Sequence, residues 1–299
     1  MLARAAAALA FAILAAGAQA GQLRYCDAPT EMTHAERDRM LRFAEVVRGE
    51  LEGSGQRVAL LSRAGLDLSR FGERYSHAGL ALRSSAMAPW SVRQLYYACD
   101  EKRARIFDQG LSAFMFGMSR PDGGYVSAVF LPDEAAAPLE RAALDDRRAL
   151  ALLRGEYSAN AYAWALRYLN CNQWVAELLA LAWGGAPAGD DEARAHAQAW
   201  LRDAGYEAHE FQVPFAPLMW LVAVIPWLHH IDHPSDDLAR GVYRVSMPSA
   251  IEAFVRARWP QARRVEFCQA GARIVVRHGW TPIAEGCQAE PGDRVVTLD

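Results

Sequence analysis

The sequence has no marked excess of charge of either sign. With 32 basic against 35 acidic side chains the formal net charge is -3, so the basic footprint that nucleic-acid binding requires is missing and nucleic acid is not expected as a partner. After residue 20 the chain also lacks an uninterrupted apolar run suited to spanning a bilayer. The nearest approach, Phe211 to Leu228, carries no charge but holds Pro214, Pro217 and Pro226 between Glu210 and His229. A spanning helix accommodates such prolines only with help from neighbouring groups. The segment therefore reads as buried or interface-lying, with peripheral membrane contact as the alternative. No internal repeat occurs, which sets repeat architectures aside.

Cysteine is scarce and odd in number: Cys26, Cys99, Cys171, Cys268 and Cys287. The redox setting is indicated by the first twenty residues. Arg4 gives a short positive start, Ala5 to Ala16 form an uncharged apolar stretch, and Ala18-Gln19-Ala20 supplies the small-x-small pattern of a cleavage site. Cleavage after Ala20 and a periplasmic location are expected. The run is too short for an anchor, and no cysteine comes after the cut, so lipoprotein processing is not expected. In an oxidising compartment thiols tend to pair. Cys268 and Cys287 flank a strand-rich segment and form one expected disulfide, and Cys26 with Cys99 forms the second. Cys171 is left outside both, either inert in the core or kept for chemistry.

A composition of 52% hydrophobic and 22% charged residues is that of a globular protein, and the chain beyond residue 20 is long enough for one large domain or two small ones. Thr33 and Glu36 predict a capping box opening a helix that Gly53 ends. Strands are predicted around Val58 to Leu61, from near His77, over Ser91 to Tyr97, at Arg105 to Phe107 and over Tyr125 to Leu131. Helices are predicted for Ala135 to Arg154, for Ala159 to Trp183 as one or two pieces, for Asp191 to Ala204 and for Ser249 to Trp259. A hairpin is expected between Val265 and Cys287.

The informative stretch is Leu169-Asn170-Cys171-Asn172-Gln173-Trp174-Val175. Trp174, Val175, Leu178 and Leu179 recur at helical spacing, so Cys171 falls at or next to a first turn, with Asn170 or Asn172 as the cap. Backbone N–H groups there favour a thiolate. A nucleophilic cysteine also needs a base. Of the eight histidines, His77 alone heads an apolar strand continued by small residues; taken by itself it reads rather as a core histidine. The cluster His229-His230-Ile231-Asp232-His233 with Asp236 carries metal-ligand residue types, but its spacing fits no ligand motif and Pro234 marks a loop. A solvated polar loop is the preferred reading, with no metal and no cofactor expected.

The runs Ser76-His77-Ala78-Gly79-Leu80-Ala81-Leu82 and Asn170-Cys171-Asn172-Gln173-Trp174-Val175 together resemble the circularly permuted branch of the NlpC-type papain-like superfamily, which includes the lecithin:retinol acyltransferase-like enzymes and their bacterial relatives. In that branch the histidine precedes the cysteine, opening a strand written roughly His-x-Gly-Ile/Leu, and the cysteine opens a helix written roughly Asn-Cys-x-x-Phe/Trp-Val. The chain also resembles a family of exported proteobacterial proteins known only as a domain of unknown function. The match spans roughly Phe71 to Trp183. The resemblance implies Cys171 as nucleophile, His77 as base, and a polar residue on the next strand orienting the imidazole. Gln94 holds that place, where the family often has His or Glu, and Asp100 is the alternative.

The expected architecture is α+β: residues 21–204 as a permuted papain-like domain, its small antiparallel sheet packed on helices, and residues 205–299 as a C-terminal extension with the apolar segment, a short helix and the hairpin. The expected activity is that of an exported thiol hydrolase or acyltransferase acting on a cell-wall peptide or a lipid-type acyl group. A non-catalytic binding or assembly module on the same fold remains the competing reading.

Overall fold

The computed structural model of the chain describes residues 32–98, 101–118, 123–153, 155–187, 189–213 and 225–298. The leader up to Ala20, the expected Cys26–Cys99 disulfide, Asp100 and residues 214–224 of the apolar segment lie outside them.

Helix α1, His34–Gly53, starts as its sequence dictates. Glu36 N–H donates to Thr33 Oγ1 at 3.2 Å while Thr33 N–H donates to Glu36 Oε2 at 2.7 Å, so two backbone donors are satisfied reciprocally. Strands β1 (Val58–Arg63), β2 (His77–Leu82), β3 (Ser91–Ala98) and β4 (Arg103–Gln109) come next as an antiparallel meander. After a short helix α2 (Leu111–Met115), β5 (Gly123–Phe130) returns to the other side of β1. The single helix expected from Ala135 to Arg154 is two, α3 (Asp133–Leu144) and α4 (Asp146–Ala151). Asp145 breaks them with an extended backbone and caps the second, accepting from the N–H groups of Arg147 and Arg148 at 3.1 and 3.3 Å.

The helix expected from Ala159 does not form before Cys171. Two-residue strand β6 (Glu156–Tyr157) precedes that stretch, which holds turns and the two-residue strand β7 (Tyr168–Leu169), and helix α5 runs from Cys171 to Gly184. The reason lies in helix α6 (Ala193–Asp203). Its buried Arg194 pairs with Glu177 of α5 at 2.8 Å and donates to the carbonyls of Leu166 at 2.6 Å, Tyr168 at 3.0 Å and Ala165 at 3.2 Å. Those acceptors would otherwise serve a helical ladder.

The C-terminal part is built into the same sheet. Strands β8 (His209–Gln212) and β9 (Val242–Val245) pair as a ribbon enclosing helix α7 (Ser235–Ala239); helix α8 (Pro248–Arg258) leads into β10 (Arg263–Ala270), β11 (Arg273–His278) and β12 (Arg294–Thr297). The order is β12-β11-β10-β5-β1-β2-β3-β4, antiparallel throughout. Eight strands replace the small sheet expected, because β10 covers the open hydrogen-bonding edge of β5. The fold is mixed α/β around one large antiparallel sheet. The expected hairpin is β10–β11, and its expected disulfide is present, Cys268 to Cys287 with a Cα separation of 5.4 Å. Helices α3, α5, α6 and α8 cover one face of the sheet, and α1 and α2 the other. Residues of both β1 and β2 are accordingly buried along their whole length.

A buried ionic cluster joins the two halves of the chain. Glu266 of β10 accepts from Tyr75 Oη, from Arg74 at 2.9 Å and from the Ile283 N–H at 2.6 Å; Arg264 pairs with Glu252 of α8 at 2.9 Å, and Ser62 of β1 donates to Glu252 at 2.7 Å. Burial alone would raise the Glu266 carboxyl pKa, but the Arg264 charge and the donors on its oxygens hold it below the usual range. The folded state thus binds fewer protons than the unfolded chain between the two values, and stability rises with pH across that window. We expect this contribution to be complete above about pH 4.3 and lost as the pH falls through the lower folded value. In urea unfolding at a series of pH values, Glu266→Gln should flatten the acid limb and cost about 3 kcal/mol at neutral pH. An unchanged acid limb would show that the cluster does not govern acid stability.

Candidate functional site

Strands β2 and β3 pair only at Leu80 with Arg93, Ala81 with Val92 and Leu82 with Ser91. Toward His77 the ladder stops. A Cβ on Gly79 would lie 2.6 Å from Val92 Cγ1 and 3.2 Å from Gln94 Cβ, so glycine keeps the strands close where they begin to part. The amide of Asn172 takes the place of the missing strand partner: its Oδ1 accepts from the Ala78 N–H at 2.9 Å and its Nδ2 donates to the Ser76 carbonyl at 3.1 Å. His77 lies between the two backbone groups so held. Cys171, the first residue of α5, directly precedes Asn172. The first turn of that helix is thereby fastened to β2 on both sides of His77.

Of the two asparagines weighed as the helix cap, Asn170 serves. Its Oδ1 accepts from the Gln173 N–H at 2.7 Å, while Asn172 is turned to the strand. The apolar face behind it, Trp174, Val175, Leu178 and Leu179, is buried against the sheet. Cys171 is partly exposed, whereas His77 is 8% and Gln94 1% exposed.

The structure brings His77 and Gln94 together. His77 Nε2 bonds Gln94 Oε1, and Gln94 Nε2 donates to Gln109 Oε1 on β4. In this arrangement the Gln94 amide nitrogen faces Gln109 and its oxygen faces the ring. With the amide oxygen facing it, Nε2 is the donor, and in the neutral ring Nδ1 then carries the lone pair on the opposite side. Continuing the β2–β3 register places Gln94 diagonally across from His77, within reach for a polar side chain. Beside the imidazole, the Phe114 ring lies 5.9 Å away, tilted by 44°, and Arg63 covers Phe114 with its guanidinium 5.3 Å from the centroid.

Asp100 lies outside the described residues. Sequence reasoning missed Gln109 and the bridging role of Asn172. The neighbour of a candidate nucleophile is a signal for the second, whereas nothing in a single sequence marks Gln109. The histidine cluster lies in a loop, as expected, but its histidines are half-buried or buried rather than solvated. His229 stacks on Tyr168 at 4.4 Å and donates its N–H to Ser158 Oγ at 3.0 Å; His230 bonds Tyr243 Oη at 2.7 Å; Asp232 accepts from the Tyr162 N–H at 2.9 Å; buried His233 bonds the Asn160 carbonyl at 2.8 Å. These contacts tie the segment to the loop before α5. Burial lowers the pKa of His233. No group of residues fit to hold a metal ion occurs among the described residues.

Residues 50–255, which include Cys171, Asn172, His77, Gln94 and Gln109, match a family model described as an uncharacterized protein conserved in bacteria, DUF2145. The chain belongs to this family. The match runs from the end of α1 through most of α8, so the site lies wholly inside it. No curated protein and no solved structure matches the chain.

If the Asn172 amide is the tether, Asn172→Ala strands the buried Ala78 N–H and the part-buried Ser76 carbonyl and should cost about 2–4 kcal/mol in urea unfolding. Asn172→Asp should recover little, because a carboxylate cannot donate to Ser76. A loss within about 0.5 kcal/mol for both variants, the range of an ordinary surface substitution, would mean that the bridge carries no weight.

Proposed function

We propose that the chain is an exported thiol hydrolase or acyltransferase built as a permuted papain-like domain, with Cys171 as nucleophile, His77 as base and Gln94 as the residue that orients it. What carries this reading is the Asn172 bridge across His77, combined with an imidazole whose Nε2–H is committed to Gln94. A base so held offers Nδ1 alone to a proton donor. The order of the elements, histidine strand before cysteine helix, is the one the permuted papain-like branch uses. In this reading the mature protein starts at Gly21 and works in the periplasm.

In the first half-reaction Nδ1 takes the thiol proton and the Cys171 sulfur adds to an amide or ester carbonyl carbon. Backbone N–H groups at the start of α5 hold the resulting oxyanion. Collapse breaks the bond to the amine or alcohol, which leaves with the proton from the imidazolium, and Cys171 remains as a thioester. Water or another acceptor then gives its proton to Nδ1 and attacks the thioester, which releases the acyl group and restores the thiol. Every proton in this cycle moves between a protein group and the substrate or the acyl acceptor.

Two substrate classes fit this reading, a cell-wall peptide and the acyl group of a lipid or lipid-linked protein. The second is favoured by aromatic surface near the helix start. Tyr97 stacks on Tyr157 at 4.6 Å and lies 6.3 Å from Trp227, whose carbonyl accepts from Ala159, and the Ala159 carbonyl in turn accepts from Asn170 Nδ2.

Alkylation by iodoacetamide tests the pair. Cys171 should react quickly at pH values well below the ordinary thiol pKa of about 8.5. His77→Ala should remove that low-pH reactivity, and Gln94→Ala should reduce it less, since an orienting group acts on tautomer and position. A Cys171 that reacts like a model thiol in both wild type and His77→Ala would leave the binding-module reading in its place.

A further inference from the structure

Arginines elsewhere in the fold commonly face carboxylates, as Arg93 does with Asp108 at 2.7 Å, Arg194 with Glu177 at 2.8 Å and Arg277 with Asp293 at 2.7 Å. The end of α8 departs from this. From Ala253 to Val265 the chain reads Ala-Phe-Val-Arg-Ala-Arg-Trp-Pro-Gln-Ala-Arg-Arg-Val, with four arginines and no acid. Arg264 turns inward to Glu252 and Glu266. The others stay at the surface and lie on rings. Arg256 sits 5.2 Å from the Trp280 centroid, and Arg258 sits 5.0 Å from Trp200 and 5.7 Å from Trp259. Arg202, at the end of α6, lies 4.7 Å from Trp164. Among the described residues, no carboxylate pairs with Arg202, Arg256 or Arg258.

The half-buried indoles that carry these arginines are linked beneath the surface through buried rings. Trp164 packs on Tyr206 at 5.9 Å, Tyr206 on Phe254 at 5.6 Å and Phe254 on Trp200 at 6.1 Å, so a continuous seam of rings joins the Arg202 end to the Arg258 end. On α8 the exposed Ala253 and Ala257 lie between the sides from which Arg256 and Arg258 project. A guanidinium beside an indole, with no carboxylate on it, keeps N–H donors free for an external acceptor, and its planar fork matches two phosphate oxygens. Half-buried tryptophans beside it prefer a layer that is apolar at one end and wet at the other.

We propose that this outward face of α8 with the adjoining end of α6 docks on the anionic phospholipid surface of a bilayer. A bilayer surface supplies both halves of the match, phosphates for the arginines and an interfacial layer for the indoles. Duplex DNA supplies phosphates alone, since half-buried indoles cannot stack on its bases, and the net charge of -3 opposes it over the rest of the molecule. This inference does not depend on the thiol chemistry, and Cys171→Ala separates the two.

The test is flotation of the full chain with phosphatidylglycerol/phosphatidylethanolamine vesicles against pure phosphatidylcholine vesicles. Binding should be confined to the anionic vesicles, weaken as salt is raised, and persist in Cys171→Ala. The double variant Arg256→Glu/Arg258→Glu should lose affinity by on the order of tenfold or more. Arg256→Lys/Arg258→Lys should retain most of it, and Arg37→Glu/Arg83→Glu, an equal change of net charge elsewhere, should bind like wild type. Circular dichroism checks that each variant is folded. Equal binding to both vesicle types, equal loss in the distant double variant, no binding to either, or a preference for duplex DNA over vesicles would each overturn the proposal.

Discussion

The site depends on one side-chain amide. Asn172 makes two backbone hydrogen bonds that a neighbouring strand would otherwise make, and it makes them astride His77. This is possible because β3 leaves β2 after the Leu80–Arg93 pair and because Gly79 permits a close approach before the strands part. An unpaired strand edge in the interior would carry a desolvation cost that the Asn172 amide removes. The same amide sets where α5 begins relative to the sheet. A helix start, a strand start and the residues Cys171 and His77 are thus brought into register by a polar contact, with burial of Trp174, Val175 and Leu178 supplying the bulk of the adhesion.

Behind that contact stand two buried charge clusters. Arg194 and Glu177 shape the loop that delivers Cys171, drawing three carbonyls inward so that the chain reaches Asn170 extended and the helix begins there. Arg264, Glu252 and Glu266 join β1, the approach to β2, α8 and β10. Arginine suits both tasks because its planar fork satisfies several acceptors at once, and the chain is almost devoid of lysine, Lys102 being its single example. Where arginines lack carboxylates, at the ends of α6 and α8, they lie on rings instead, and a scaffold device becomes a surface with recognition chemistry.

Much of this was legible locally. The Thr33–Glu36 capping box, the strand opening at His77, the helix opening at Cys171 and the Cys268–Cys287 bridge are all signalled by near neighbours or by parity. What was not legible depends on residues far apart in sequence. The Ala159 to Asn170 stretch has helix-compatible composition, and it is Arg194 that diverts its carbonyls. The helix from Ala135 to Arg154 breaks because Asp145 caps better than it propagates. The sheet reaches eight strands because β5 finds its second partner in β10, beyond more than a hundred intervening residues that contain no sheet-continuing signal. Gln94 was legible as a polar residue in the middle of a strand, whereas Gln109, which bonds it, is one polar residue among several on a half-exposed strand.

The central claim is that Cys171 and His77 act together on an acyl carbonyl. The most direct measurement incubates the mature protein with an activated acyl ester and monitors intact mass and peptide maps over time. The account predicts one acyl group added at Cys171 and then lost as the thioester is resolved, with both steps slowed in His77→Ala. No acylation, or acylation at Cys171 no faster than in the unfolded chain and indifferent to His77, would contradict it.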